Sequence, residues 1–511
     1  MPDASCTVSE RPPRAPSLVA RSAAAVSSAW RLKGLIPTLA WTTVSYYLFG
    51  PPQSSWSLRL ALFTALARFT SFSASKRRQI THSGKPLEEA EVVEIVREQR
   101  EKLEGMLAGK EGGQPKGGAV WQVKMGVKRR SLGGVLGEVD GEEKGEREVK
   151  AEWTAHRSLL PSESCSPSSS LSDRIILYFH GGAYALLSLK THRKFVLELS
   201  KECGARVLSV DYRLSPESKF PGALHDAVSS YFYLTQEVGI PAANILVGGD
   251  SAGGNLALAL MLYLRDEKLP MVRGGILISP WVDMTASLRS WDENKDIDYL
   301  TASPLDPLSP PRLFLPVSQY TSLLPSPYVS PSLTASLTSL PPLLIQSGSA
   351  ETLRDEHTLL ALRASKAGVE VSHEVWKDGV HVFQMVMREG MGREGTRRVG
   401  QWVKGRRESE EGNSEEAMRE VDEELRKAWN DRPEGEKVER PAKASKPVAF
   451  TFERVVERAP KIVLREKADE AARKAVKEVE GYEPSKGLTS VFYPRAASVG
   501  LAARLRGLVG L

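Results

Sequence analysis

The segment Gly249-Asp250-Ser251-Ala252-Gly253 sets a serine between two glycines, directly after an aliphatic run at 245–247 and directly before a helical run at 256–264. A chain with 41 glycines meets this pattern easily by chance, so the flanking elements matter more than the pattern itself. In a strand–turn–helix setting a sharp turn lifts the serine oxygen above a sheet, and the glycines let neighbouring backbone approach. The serine then sits at a helix N-terminus, whose free N–H groups favour developing negative charge. That setting suits a nucleophile in acyl transfer; the blander alternative is a Gly-rich turn with an inert serine. Upstream, His180-Gly181-Gly182-Ala183-Tyr184 follows another apolar run, at 175–179. Attack on an ester carbonyl creates an oxyanion, which needs rigid N–H donors about 3 Å away. The amides of Gly182 and Ala183, with Gly181 as a further candidate, and the amide of Ala252 are the expected donors. Ala183 stands where this type of loop has a third glycine; it keeps its N–H, so shape changes more than donor count. For His180 the expectation is loop orientation rather than proton transfer.

A serine nucleophile needs a general base, and neutral imidazole can accept its proton and return it to the leaving alcohol. His381, in Asp378-Gly379-Val380-His381-Val382-Phe383, follows the run 371–376 and so reaches the sheet edge from a loop. His357 falls inside a helical stretch, His373 within a strand and His225 in the helix after Pro221; these read as structural or surface histidines. A carboxylate must hold the imidazole in the correct tautomer, and in the chain order serine, acid, histidine it should follow the run 343–346. The segment Ser349-Ala350-Glu351-Thr352-Leu353-Arg354-Asp355-Glu356 offers two acids. Glu351, nearer the strand end, is the favoured one. Asp355, one helical turn on, is the alternate acid or a brace for that loop.

Elements that position these groups emerge from residue 173 onward, where short aliphatic runs at 175–179, 207–210, 245–247, 276–278, 343–346 and 371–376 alternate with helical stretches. Their near-continuous apolar character predicts strands covered on both faces, hence an α/β fold with a mostly parallel sheet between helices. Each loop at a strand's C-terminal end is then a candidate site. We expect the catalytic domain over 119–405. Within it, 131–150 and 158–172 read as surface insertions. Residues 88–107 are charged and helix-prone, and 109–118 read as a linker.

Composition bounds the partners. Residues 11–87 carry eleven Lys or Arg and no Asp or Glu, so the formal charge of +6 reflects a basic N-terminal stretch. This points to anionic surfaces; no zinc-finger, RNA-recognition or helix-turn-helix pattern accompanies it, so no nucleic-acid partner is expected. Residues 1–33 form an Arg/Ser/Ala-rich arm. The apolar run 34–50, with Trp41, Tyr46, Tyr47, Phe49 and Pro37, is at the lower limit for spanning a bilayer. It reads as a membrane anchor, a transit peptide, or helices over an active site. The stretch 56–72 has Leu58, Leu60, Leu62, Phe63, Leu66 and Phe69 near helical spacing, so 34–108 as a whole is expected to be cap or anchor. Residues 406–511 are charged and read as helix or disorder, ending at 495–511 in a basic amphipathic tail suited to a membrane surface. Cys6, Cys165 and Cys203 are too few and scattered for a disulfide framework or a four-ligand zinc site. Cys203 reads as a buried hydrophobe.

The stretch 175–383 resembles the hormone-sensitive-lipase group of α/β-hydrolases. Five ordered motifs carry the likeness: 180–183, Asp211-Tyr212-Arg213-Leu214-Ser215-Pro216-Glu217 with Phe220-Pro221, 249–254, 351–355 and 378–381. The resemblance implies an α/β-hydrolase fold with a helical cap, built from N-terminal helices and from an insertion at about 282–327. In that group the triad acid is usually the first Asp of a D-P-L-R-D-like segment, which aligns with Glu351 and leaves Asp355 as the segment's second acid; Glu at this position departs from the group's usual Asp. Gly50-Pro51-Pro52 followed by Trp56-Ser57-Leu58 also looks like the N-terminal region of fungal members, whose relatives include carboxylesterases and steryl acetyl hydrolases.

The expected activity is therefore a carboxylic ester hydrolase acting through an acyl-enzyme on a small-molecule acyl ester, lipophilic or short-chain. No cofactor and no metal are implied; the Gly-rich loops lack the Lys-Ser/Thr ending of a phosphate-binding loop. The alternative is a catalytically silent member that binds a lipophilic ligand in the same pocket. The expected location is intracellular, at a membrane such as the endoplasmic reticulum or another lipid surface.

Overall fold

Among the described residues of the computed structural model, ten strands form one sheet in the order β1-β2-β4-β3-β5-β6-β7-β8-β10-β9. The structure describes residues 35–78, 87–108, 115–160, 174–300, 308–388, 390–405, 415–431, 453–457, 462–465, 468–484 and 488–492. The strands are β1 (Gly118–Gly126), β2 (Glu148–His156), β3 (Ile175–Phe179), β4 (Arg206–Asp211), β5 (Ile245–Asp250), β6 (Gly274–Ile278), β7 (Leu343–Gly348), β8 (Val371–Trp376), β9 (Glu453–Glu457) and β10 (Leu488–Phe492). From β4 through β3, β5, β6, β7 and β8 to β10 every neighbouring pair is parallel. The β1–β2, β2–β4 and β10–β9 pairs are antiparallel.

Strand β3 explains why these runs lack an apolar/polar alternation. Ile175, Leu177 and Phe179 enter one core, while Ile176 and Tyr178 enter a second core on the opposite face. Both faces are covered, so polar residues have no outlet to water. Longer helices do the covering: α4 (Leu189–Cys203) and α8 (Met391–Lys404) on one face, α5 (Gly222–Phe232), α6 (Ala252–Asp266) and α7 (Arg354–Lys366) on the other. Cys203 lies fully buried in the first group, and burial pushes its thiol up, as expected of an inert core residue.

Ahead of the sheet run α1 (residues 35–49), α2 (Leu58–Arg78) and α3 (Glu89–Leu107). They are tied to the catalytic end. Trp56 donates its indole N–H to Asp378 O at 2.8 Å, Ser54 Oγ and Ser55 N donate to the Asp378 carboxylate, and Tyr46 donates to Trp56 O. Arg100 of α3 donates to the carbonyls of Ala185 and Ser215. Among the described residues no helix is long and apolar enough to cross a membrane.

Two local expectations change. The stretch 131–150 is more than a surface insertion: Asp140 is buried and accepts from Arg130 N and Leu132 N, and β2 already begins at Glu148. The region after 405 contributes to the fold. Helix α9 (Glu415–Asn430) buries Val421 and Leu425, one turn apart, and α10 (Glu470–Val479) buries Ala472, Ala475 and Val479 beside Leu359 and Leu362. Its apolar residues are sparse but share one side of each helix, which is enough to dock on a core already built. Strand β10 then extends the sheet beyond β8, with Val491 buried. The basic arm 1–33, most of the insertion 158–172, Cys6, Cys165 and the tail 495–511 lie outside the described residues.

Candidate active site

Ser251 occupies the turn between β5 and α6 with φ 52° and ψ −119°, a conformation that costs a non-glycine residue energy and is held here by its surroundings. Its N–H donates to Ile278 O and its carbonyl accepts from Trp281 N, both at 2.9 Å, which fixes the turn to the end of β6. Gly253 is required for packing, since a Cβ there would overlap the Phe179 carbonyl oxygen.

Asp250, the residue just before the serine, was given no role by sequence reasoning. It is buried and accepts from Tyr178 Oη at 2.6 Å and from Gly181 N at 3.0 Å, with His192 Nε2 at 3.4 Å. Burial alone would raise its carboxyl; His192 and Tyr178 outweigh burial and bring it below the ordinary value. This bond corrects one expectation. The Gly181 amide is committed to Asp250 and is not free to meet an oxyanion. The amides of Gly182, Ala183 and Ala252 donate to no protein acceptor among the described residues. Ala183 takes φ 56° and Gly182 φ 116°, so the alanine holds a left-handed conformation that glycine adopts at lower cost. His180 donates from Nδ1 to Gly181 O at 2.7 Å and stacks on Tyr212, and burial pushes its imidazole down to about 3. It is a buried neutral ring within the loop.

His381 lies in the turn after β8, and its Nδ1 is 3.0 Å from Glu351 Oε2. Glu351 Oε1 accepts from Ser279 Oγ at 2.7 Å and from Gly348 N, while Ser279 Oγ also accepts from Val382 N. One hydroxyl at the end of β6 thus joins the acid loop to the histidine loop. Asp355 is elsewhere: it accepts from Ser290 N at 3.0 Å and from Arg354 Nε at 2.8 Å, holding the segment after Trp281. His373 bonds Ser347 inside the sheet, His225 faces Asp140, and His357 is buried in α7. Among the described residues no hydrogen bond joins Ser251 Oγ to His381 Nε2. Such bonds are often long without substrate and close in the Michaelis complex.

A second carboxylate stands beside the histidine. Asp298, fully buried, accepts from Thr352 N at 2.9 Å, Thr352 Oγ1 at 3.1 Å, Tyr299 N at 2.8 Å and His381 N at 3.3 Å. Tyr299 Oη donates to His381 O at 2.9 Å. Burial by itself would lower the His381 imidazole, but the hydrogen bond and charge of Glu351, with Asp298 and Asp250, overcome it and hold the ring above the ordinary histidine value.

A cavity of about 140 Å³ opens at Ser251. Ala183, Trp281, Met284, Trp291, Leu300 and Leu353 form much of its apolar wall. Most of the lining comes from the segment after Trp281, the stretch expected to form a cap; residues 301–307 of it lie outside the described residues. Among the described residues no cluster of His, Cys, Asp and Glu could hold a metal ion.

A family model described as the alpha/beta hydrolase fold matches residues 176–385. An acetyl-hydrolase of Streptomyces hygroscopicus is 39% identical over 222 residues, covering 42% of this chain and 71% of that protein. The chain belongs to the α/β-hydrolase family. Its ordered motifs put it in the hormone-sensitive-lipase group, as the resemblance implied. An arylesterase of Saccharolobus solfataricus is 30% identical over 234 residues, covering 44% of this chain and 72% of that protein. A crystal structure of EstE5 soaked with p-nitrophenyl butyrate superposes with a TM-score of 0.50 at 28% identity, covering 69% of this chain and 99% of that one. This α/β-hydrolase therefore shares its catalytic core with known esterases and carries long additions on both sides of it.

Proposed function

We propose that this serine ester hydrolase cleaves compact acyl esters through Ser251, His381 and Glu351. The observation that carries the reading is the buried Glu351–His381 pair at 3.0 Å, on loops that follow neighbouring strands at the same sheet edge as Ser251. Glu351 fixes the ring so that Nδ1 carries its proton and Nε2 is left as base. Nε2 takes the Ser251 proton as Oγ forms a bond to the acyl carbon. The carbonyl oxygen becomes an anion facing the amides of Gly182, Ala183 and Ala252. Collapse breaks the bond to the alkoxy oxygen, which leaves as alcohol with the proton from Nε2. Water, deprotonated by the same nitrogen, then attacks the acyl-serine; the carboxylic acid leaves and Oγ regains its proton.

Negative charge from Glu351 and Asp298 stabilises the imidazolium formed in each addition step, so Asp298 acts as a positioning and electrostatic group one shell from the reaction. Cavity size supports a short acyl group, because a space of about this volume in an engineered apolar site accommodates one benzene molecule. The test is hydrolysis of p-nitrophenyl esters from acetate to palmitate by wild type and Ser251→Ala. An optimum at short chains and loss of turnover in the variant are expected. A folded wild type without turnover on any ester, and without fluorophosphonate labelling, would turn the reading toward ligand binding alone.

A further inference from the structure

Helix α1 is amphipathic in the sense opposite to that of a helix packed on a water-soluble core. Six of its exposed positions, Ile36, Pro37, Ala40, Trp41, Val44 and Leu48, recur at helical spacing on one side, and with Phe49 at the helix end they include no polar residue. Trp41 is 66% exposed, Ile36 62% and Leu48 56%. Hydroxyl groups occupy the half-buried side instead: Thr42 and Thr43 bond back to the carbonyls of Thr38 and Leu39, and Tyr46 donates to Trp56 O. Contiguous apolar surface of this kind marks an interaction site.

Length and charge identify the occupant. Fifteen helical residues, 35–49, rise about 22 Å at 1.5 Å each, short of a hydrocarbon core of about 30 Å. The helix is flanked in sequence by Arg31, Lys33 and Arg59, within a stretch of eleven basic and no acidic residues from 11 to 87. A protein partner for an apolar side needs no such excess of one sign, whereas an anionic lipid surface attracts it. We propose that α1 lies in the plane of an anionic membrane, with this side in the boundary between headgroups and acyl chains.

The surface goes beyond the hydrolase reading, yet it is joined to that site. The segment after α1 clamps Asp378, three residues before His381, through Ser54, Ser55 and Trp56. Farther along α2, Phe63 meets Tyr299 edge-on at 5.7 Å and Arg68 pairs with Asp296. A membrane-seated α1 therefore holds the histidine loop and the cap against one lipid-facing edge of the molecule.

The experiment is co-sedimentation of the full chain with phosphatidylcholine vesicles with and without phosphatidylserine, in low and high salt. Wild type is expected to sediment with the anionic vesicles, less with neutral ones, and less as salt rises. Val44→Glu/Leu48→Glu, at positions about half exposed on this side and distant from Ser251 in the fold's hydrogen-bond network, should lower binding at least tenfold while p-nitrophenyl acetate turnover stays unchanged. Trp41→Gln provides a milder second variant whose binding should fall between the two. Absence of sedimentation by wild type, equal binding to neutral vesicles, or unchanged binding by the double variant would overturn the proposal. So would a lipid-independent, concentration-dependent dimer that the double variant abolishes, since a second copy would then be the occupant. Because turnover of a soluble ester is read separately, loss of membrane binding and failure of the hydrolase reading are distinguishable.

Discussion

Replacing Asp298 with Asn should move both the stability of the protein and the pH dependence of catalysis, by amounts the structure lets us work out. Each carboxylate oxygen accepts two donors: Tyr299 N and His381 N on Oδ1, Thr352 N and Thr352 Oγ1 on Oδ2. An Asn amide can satisfy one pair but turns its own N–H groups toward the other. Leaving two buried donors unmet costs about 1–3 kcal/mol each, so a loss of roughly 2–6 kcal/mol in unfolding free energy is expected. The second effect is electrostatic. A nearby carboxylate favours imidazolium, and its removal lowers the His381 pKa, by about one unit on the low side of the usual range. One unit is about 1.4 kcal/mol, hence about tenfold in a rate that depends on imidazolium stability. His381 must be neutral to accept the Ser251 proton, so kcat/KM rises as pH rises through its pKa. In wild type that midpoint lies above the ordinary histidine value. In Asp298→Asn the midpoint should fall by about one unit and the plateau by about tenfold. The assay is p-nitrophenyl acetate hydrolysis from about pH 5 to about pH 9, beside urea unfolding. A lower plateau with an unchanged midpoint would refute the electrostatic reasoning and leave Asp298 a packing residue.

Other changes separate the two acids after β7 and probe the loop and the cavity. Glu351→Gln should lower kcat by about 10²- to 10⁴-fold, as when a triad acid loses its charge, with the midpoint for His381 also lowered; Asp355→Asn should keep kcat within a fewfold and reduce stability by about 1–3 kcal/mol, read by steady-state kinetics and urea melts. Ala183→Gly should relieve a left-handed alanine and stabilise the fold by about 1 kcal/mol while preserving its N–H, so turnover should change little. Trp291→Ala, at the cavity wall, should move the acyl-length optimum toward longer chains in a p-nitrophenyl ester series.

The nucleophile turn and the parallel sheet were legible because both are local. Ile175–Phe179 and Ile245–Asp250 announce buried strands by their own residues, and Gly249 and Gly253 flank Ser251 in sequence, while part of the backbone that demands them, Phe179 and His180, comes from the end of the neighbouring strand β3. The pairing of Glu351 with His381 followed from chain order and strand ends. What the sequence concealed is long-range. Asp298 sits in a segment with no regular pattern, and its role depends on meeting Thr352 and His381 across the fold. The use of the Gly181 amide by Asp250 is equally invisible, since a glycine-rich loop reveals its donors but not which of them are already taken. Strand β10 carries too little apolar character in Leu488–Phe492 to stand out; the open edge of β8 gives it a partner. Helix α1 was recognised as apolar, but only the fold reveals that its apolar side faces outward.

The most direct test of the account is covalent labelling of the purified chain with a fluorophosphonate, read by peptide mass spectrometry beside ester turnover. A single adduct on Ser251, stoichiometric loss of turnover, and neither labelling nor turnover in Ser251→Ala are expected. An adduct on another residue, or esterase activity that survives Ser251→Ala undiminished, would contradict it.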